Sequence, residues 1–149
     1  MPRHAALIPL SHDHHHTLVL ALRLKKGSAT THKDLWPKEL QEQLARTVEF
    51  ANEEILPHFA KEEQFVFPEA LAIPEVRPLI EELKRQHVDI RLKFAALEGL
   101  SSNEEILTAF SALGAALESH IHKEERELFP MLEEKLREEA FARIEVGMS

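Results

Sequence analysis

The sequence has no cysteine and no tyrosine, and it has only four glycines among its 149 residues. The lack of cysteine excludes disulfides, thiolate metal sites and cysteine nucleophiles. The scarcity of glycine and the lack of tyrosine argue against a turn-rich β protein. The abundance of Leu, Ala, Glu and Lys instead favours helices.

Long apolar runs and an excess of positive charge are also missing. No apolar segment approaches the roughly 20 residues that a membrane-spanning helix needs, and the first twenty residues are interrupted by Pro, Asp and His, unlike a signal peptide. The net charge of −8 argues against a nucleic-acid partner and disfavours an anionic membrane surface. We therefore expect a cytoplasmic protein that forms one domain over residues 1–149.

Helical segments separated by turn signals are expected along the whole chain. The first begins at Ser11 and ends at Gly27, and the loop "GSATTHKD" follows it. The second begins near Pro37 and ends at about Phe67, with a kink at Pro57, which removes one backbone donor.

Two further long segments complete the predicted bundle. The third runs from about Val76 to Leu97. The fourth begins with a capping box of Ser102 and Glu105 and ends at Phe129, before a proline. The segment "MLEEKLREEAFARI" predicts a short additional C-terminal helix. Short connections between four helices favour an all-α fold, an antiparallel up-down-up-down four-helix bundle.

Eleven residues occur nearly twice, as "HFAKEEQFVFP" from His58 and as "HIHKEERELFP" from His120. Six of the eleven positions match. Each copy places a histidine and a glutamate four residues apart, so His58 and Glu62 share one helical face, as do His120 and Glu124. An imidazole and a carboxylate so placed can bind one metal ion together, and carboxylates can bridge two ions.

Other histidines are expected at the same end of the bundle. His87 lies early in the third helix, and the run "HDHHH" lies early in the first. His15 is followed by leucines at +3 and +7, and His87 is followed by apolar residues at the same steps. This register favours His15 as the ligand from the first helix, with His14 next, and leaves His12 and His16 as alternatives.

Each pair could also be a surface contact without a metal, because an i,i+4 His/Glu pair is often only such a contact, worth a few tenths of a kcal/mol. Two pairs in matched sequence context, with more histidines at the same level, favour metal binding. The repeated glutamates Glu63 and Glu125 are expected to face solvent or partners outside the ligand set. Phe67 and Phe129 are expected to pack in the core. The loop histidines His4 and His32 are expected to lie at the surface.

The donor inventory is imidazole and carboxylate without sulfur. That excludes iron–sulfur clusters and thiolate zinc sites, and it suits Fe, Mn, Zn or Ni. A histidine-rich, carboxylate-bridged pair inside a helical bundle favours two irons, which could keep an open position for O2 or a related small ligand.

Four stretches together make the chain similar to a known family over nearly its whole length. "LSHDHHHTLVLA", "HFAKEEQFVFP", "QHVDIRLKF" and "HIHKEERELFP" resemble the hemerythrin-like proteins of the HHE cation-binding group. The resemblance implies a four-helix bundle with two iron ions (Fe²⁺/Fe³⁺), bridged by carboxylate and by oxo or hydroxo, often able to bind O2 or respond to NO and peroxide. The metal ligands that it implies are His14 or His15, His58, Glu62, His87, His120 and Glu124, with the two glutamates as bridges.

Two departures from that family's O2 carriers bear on function. The carriers have a second histidine four residues after the third-helix ligand, where this chain has Arg91. Their fourth helix uses a His-x-x-x-x-Asp spacing, whereas this chain has His120 and Glu124. The O2-carrier role is therefore not transferred, and a fifth imidazole would have to come from "HDHHH".

Three functions remain open from the sequence. The leading one is a di-iron protein that binds or senses O2, NO or peroxide, or handles iron. The second is a di-iron oxidase or peroxidase, although no substrate pocket signature is seen and no tyrosine is available as a radical or proton donor. The third is a structural bundle that binds metal incidentally. A sensor would need a partner protein, and one charged face could meet it or simply be solvated: Glu133, Glu134, Arg137 and Glu138.

Overall fold

Helices make up all the regular structure in residues 2–26 and 36–149, the parts of the chain that the computed structural model describes. The predicted loop "GSATTHKD" and His32 lie outside these residues. Five helices are named here in chain order. They are α1 (Ile8–Lys26), α2 (40–70), α3 (Arg77–Ala96), α4 (103–135) and α5 (Glu138–Met148).

The all-helical class and the short C-terminal helix are confirmed, whereas several boundaries differ from those expected. Helix α1 begins before Ser11, and a single 3₁₀ turn, Ala5–Leu7, precedes it. Helix α2 begins at Leu40 rather than near Pro37. No helix in the described ranges is long and apolar enough to cross a membrane.

The capping box at the start of α4 is confirmed. The backbone N–H of Glu105 donates to the Ser102 hydroxyl at 3.1 Å, and the backbone N–H of Ser102 donates to the Glu105 carboxylate at 3.3 Å. These two bonds satisfy backbone donors that have no partner within the helix, and they fix where α4 begins.

The predicted ends of the second and fourth helices, at Phe67 and Phe129, are wrong. Helix α2 continues through Pro68, and α4 continues through Pro130. The prediction failed because proline normally breaks a helix by clashing with the carbonyl four residues before it.

A π-helical turn precedes Pro57, Pro68 and Pro130 and removes that clash. The three turns are Ala51–Ile55 and Glu62–Val66 in α2 and Glu124–Leu128 in α4. In each, the residue just before the proline donates its N–H to the carbonyl five residues back, so the widened turn shifts the carbonyl ladder. The irregularity expected at Pro57 is found as the first of these turns. Such turns often mark functional sites, and here two of them begin at Glu62 and Glu124.

Two apolar clusters fill the bundle, one above and one below a polar layer. The first contains residues such as Leu10, Val66 and Phe129. The second contains residues such as Phe59 and Leu117. Along each long helix the polar residues lie between members of the two clusters, so the polar layer is closed off on both sides by packed hydrophobic side chains.

A close approach of α1 to α4 brings the first histidine run against the bundle. A Cβ atom at Gly114 would lie 2.8 Å from the backbone oxygen of Ala21 and 2.8 Å from Cγ of Lys25. Only glycine permits this separation, so the buried face of α1 is the one that carries Ala21.

Candidate metal centre

Six polar side chains form the layer between the two apolar clusters. Each of the four long helices contributes at least one of them, and none is more than 6% exposed. Burying two carboxylates and four imidazoles is costly unless they are paired or bind a metal ion. The six residues are His14, His58, Glu62, His87, His120 and Glu124.

Within this layer the donor atoms form two groups of four that share both glutamates. One group combines Glu62 and Glu124 with His14 and His58, and the other combines the same glutamates with His87 and His120. In each group one ligand atom from every residue lies within 4.8 Å of the others. Two shared carboxylates between two pairs of imidazoles could hold two metal ions that the carboxylates bridge.

Every imidazole directs its Nε2 atom at a shared carboxylate. Glu124 lies 2.8 Å from Nε2 of His14 and 3.3 Å from Nε2 of His120. Glu62 lies 3.2 Å from Nε2 of His87 and 3.6 Å from Nε2 of His58. The four nitrogens therefore converge on the space between the two carboxylates.

Many of these converging atoms have no hydrogen-bond partner among the described residues, although they are fully buried. The short contact of His14 with Glu124 is not aligned as a hydrogen bond. Buried polar atoms without partners are rare in folded proteins, and here they are the donor atoms that a cation would satisfy. They are Nε2 of His14, His58 and His120, Oε2 of Glu62, and both carboxylate oxygens of Glu124.

The other ring nitrogen, Nδ1, of each histidine has a partner on the outer side of the site. Such a bond fixes the tautomer and the ring orientation of a metal ligand. The acceptors are Glu125 for His14 at 2.6 Å, Asp13 for His58 at 2.9 Å, Glu63 for His87 at 2.6 Å and Gln86 for His120 at 2.7 Å.

Arginine side chains and a serine hydroxyl hold two of these acceptors in place. Arg91 donates to both oxygens of Glu63, at 2.8 and 3.1 Å. Glu125 accepts from Arg3 at 3.1 Å and from the Ser11 hydroxyl at 2.8 Å. The expectation that both glutamates lie outside the ligand set and face partners or solvent agrees with this placement.

Three phenylalanines pack against the histidine rings. Phe59 stacks on His87 with the ring centroids 3.9 Å apart, and Phe67 lies on the same ring at 5.4 Å. Phe129 stacks on His14 at 5.5 Å. The predicted core role of Phe67 and Phe129 is confirmed, and the two residues also restrict ring rotation and exclude water at the site.

The two shared carboxylates lie close together in a buried layer, where the charge of Glu124 opposes ionisation of Glu62. Burial raises the pKa of Glu62 well above its usual range, and the neighbouring charge of Glu124 raises it further. Although burial also opposes ionisation of Glu124, the charge of His120 and the close approach of Glu62 and His14 hold the pKa of Glu124 well below the usual range. These opposite shifts favour a protonated Glu62 beside an ionised Glu124, and a cation bound between them would displace that proton.

His14 is held in its charged form by the same surroundings. Burial opposes the charge, yet interactions with Glu124 and Glu125 raise the pKa of His14 from 6.5 to about 9. A metal ion binding at Nε2 would have to displace this proton as well.

The preference for His15 over His14 is wrong in this structure. His14 is buried in the donor layer, whereas His12, His15 and His16 are exposed on the outer face of α1. Among the described residues no fifth imidazole joins the cluster, and Arg91 points to Glu63 instead. The hydrophobic register gave the wrong histidine because Leu22, the leucine at +7 from His15, is 50% exposed and not in the core.

The loop histidine at the N-terminus has a structural role that the sequence did not indicate. His4 is half-buried, accepts a hydrogen bond from the backbone of Ala6 and stacks on Phe141. Two members of the charged face near the C-terminus contact this segment: Glu133 pairs with Arg3 at 2.7 Å, and Glu138 lies 3.2 Å from the His4 ring.

Asp13 and Gln86 are the two site residues that sequence reasoning missed. Each immediately precedes a ligand histidine of an odd-numbered helix, His14 or His87, yet its side chain serves a histidine of the next helix. The sequence signal for Asp13 and Gln86 was that they occupy equivalent positions, just before His14 and His87. The equivalence is visible only when His14, rather than His15, is matched with His87.

These features define a class, a helical bundle with a buried layer of histidines and glutamates that could hold metal cations. The family model described as the hemerythrin HHE cation binding domain matches residues 6–140. The chain therefore belongs to the hemerythrin HHE cation-binding family, as its resemblance implied. Comparisons with curated proteins and with solved structures give no significant match.

Proposed function

We propose that this chain is a di-iron protein that binds one iron ion in each donor group and uses the pair to bind or sense O2, NO or peroxide, or to handle iron. The observation that carries the proposal is the pair of buried donor groups that share Glu62 and Glu124. The ligands in this proposal are His14 and His58 for one ion and His87 and His120 for the other.

The donor set suits iron, which is one of the metals that imidazole and carboxylate bind. Each group offers two imidazole nitrogens and two carboxylates, which is four donors for an ion that often takes six. The remaining coordination positions suit small exogenous ligands. Zn, Mn or Ni could occupy the same donors, so the metal present depends on supply as well as on affinity.

Burial of the site supports a small ligand rather than a large substrate. Phe59, Phe67 and Phe129 pack against the histidine rings, and the bridging glutamates are fully buried. When bound, a pair of irons would supply open coordination positions and electron transfer to O2, NO or peroxide. The protein's own residues hold the four imidazoles in a fixed orientation and keep bulk water away.

The architecture behind this proposal is one domain with the helices in antiparallel order. It is supported by the order of the two apolar clusters, which alternates along α1, α2, α3 and α4. A purely structural bundle is less well supported, because it gives no reason for six buried donor atoms to lack hydrogen bonds within the described part of the chain. We further propose a cytoplasmic location, and a signalling role would require a partner protein.

The test compares two ligand variants with a surface control. Wild type, Glu62→Ala, Glu124→Ala and Glu54→Ala are loaded anaerobically with Fe²⁺, and visible spectra are recorded before and after NO or O2 is added. Wild type and Glu54→Ala, which alters an exposed residue of α2, should bind about two irons and change spectrum. The ligand variants should lose iron and the spectral change, and equal iron binding in all four proteins would refute the proposal.

A further inference from the structure

The metal centre has an internal two-fold relationship that extends through its ligands. His14 and His58 in one donor group correspond to His87 and His120 in the other, and Glu62 corresponds to Glu124. Each ion would therefore receive two imidazoles and the same two carboxylates. Any chemical difference between the two positions must come from beyond the ligands themselves.

The partners of the Nδ1 atoms follow the same relationship. The glutamate after each bridging glutamate accepts from the histidine of an odd-numbered helix: Glu63 from His87 and Glu125 from His14, both at 2.6 Å. Each of these two carboxylates is also paired with an arginine. These halves of the site are thus matched in charge and in geometry.

The remaining pair breaks the symmetry. Asp13 precedes His14 and accepts from His58 at 2.9 Å, whereas Gln86 precedes His87 and accepts from His120 at 2.7 Å. One position in the repeat is therefore a carboxylate and its counterpart is a neutral amide. An aspartate with its ordinary pKa of about 3.9 is a charged carboxylate at neutral pH, whereas a glutamine amide is uncharged.

A carboxylate acceptor makes an imidazole a stronger metal ligand than an amide acceptor does. Hydrogen bonds to an ionised acceptor are roughly twice as strong as neutral ones, and they raise the basicity of the ligating nitrogen. The effect is moderated here, because the Asp13 side chain is 40% exposed and the charge of Lys61 also acts on it.

We propose that the two metal positions are unequal, and that the position formed by His14 and His58 binds its cation more tightly and fills first. Asp13 and Gln86 are the positioning residues that set this order. The inference rests on the proposed function, since it concerns the same pair of metal positions. It adds which position is filled at low metal supply and which exchanges its ion more readily.

The experiment exchanges charge without changing shape. Co²⁺, which does not react as iron does with air, is titrated into wild type, Asp13→Asn, Gln86→Glu and the double variant, by calorimetry and by visible absorption. Asp13→Asn should weaken the first binding step by about tenfold, the lower end of what such outer partners contribute. Gln86→Glu should leave the first step within about twofold and tighten the second by about tenfold. The double variant should restore both steps to wild-type values.

Other outcomes separate the inference from the function on which it rests. If both single variants bind as wild type does, the partners only orient the rings and the inference is overturned. It is also overturned if Gln86→Glu tightens the first step, or if Asp13→Asn weakens only the second. A wild-type protein that takes up no Co²⁺ and no Fe²⁺ contradicts the proposed function itself, whatever the variants do.

Discussion

Replacing one bridging carboxylate should have opposite effects on the protein with and without metal. Glu62 is fully buried beside Glu124, its Oε2 atom has no partner among the described residues, and burial raises its pKa. Without metal, this carboxyl group destabilises the fold. In the proposed di-iron site, the same group would be a ligand of both ions.

Glu62→Gln keeps the size of the side chain, removes the second carboxylate and adds an N–H that can donate to Glu124. We expect the metal-free variant to be more stable than metal-free wild type by about 1–3 kcal/mol, the usual cost of an unsatisfied buried polar group. That corresponds to a rise in Tm of about 2–12 °C for a protein of this size.

Metal should reverse the ranking of the two proteins. An ion present at about 1,000 times its Kd stabilises the folded state by about 4 kcal/mol, which is about 8–16 °C in Tm. Wild type should gain this and Glu62→Gln should not. Circular-dichroism melts in chelator and in excess metal measure both differences, with the exposed Glu54→Gln as the control, expected within about 0.5 kcal/mol of wild type. A variant that is less stable without metal, yet keeps the full metal-dependent rise in Tm, would refute the reasoning.

Three further predictions concern the ligand in α1, helix packing and pH. His14→Ala should lose one of the two metal ions while the neighbouring exposed His15→Ala keeps both, as metal analysis will show. Gly114→Ala should lower the free energy of unfolding by about 1–3 kcal/mol, because its Cβ would meet the Ala21 carbonyl oxygen at 2.8 Å, whereas Gly99→Ala has nothing within 4 Å and should change the urea midpoint little. The pKa of His14 rises from 6.5 to about 9 on folding. Its stabilisation of the metal-free protein is therefore complete below pH 6.5 and is lost as the pH rises through 9. Because a metal ion must displace this one proton, metal affinity should rise over the same range by about tenfold per pH unit. A metal affinity that is independent of pH between 7 and 9 would contradict that assignment.

Helical spacing along each helix made part of the site predictable from the sequence. The spacing of four residues places His58 with Glu62 and His120 with Glu124 on one helical face, whatever the details of the fold. The matched context of the two pairs, together with His87, indicated a single convergent layer. The structure brings all five of these side chains into that layer.

The choice between neighbouring histidines was not predictable from hydrophobicity. The buried face of α1 carries Thr17 and Ala21, which contribute little to an apolar pattern, because α4 approaches there through Gly114. Leu22 is on the exposed side. A large residue on the wrong face thus outweighed the small residues that close packing requires, and His15 was preferred to His14.

The predicted ends of the second and fourth helices were wrong for a related reason. A proline at position 68 or 130 is a strong local stop signal, but a π turn upstream rearranges the carbonyls and lets the helix continue. The acceptors Asp13 and Gln86 were missed because each serves a histidine of a different helix, His58 or His120. Such pairing depends on how the helices pack and not on spacing along one of them.

We propose that two cations, iron in the native protein, occupy the buried donor layer. Metal analysis with visible spectra tests this on protein purified anaerobically without chelator or affinity tag, and then exposed to air. We expect about two irons per chain, in line with the two donor groups, and a new near-ultraviolet band on exposure to oxygen. A protein that stays folded, contains no metal and takes up no Fe²⁺ would contradict it.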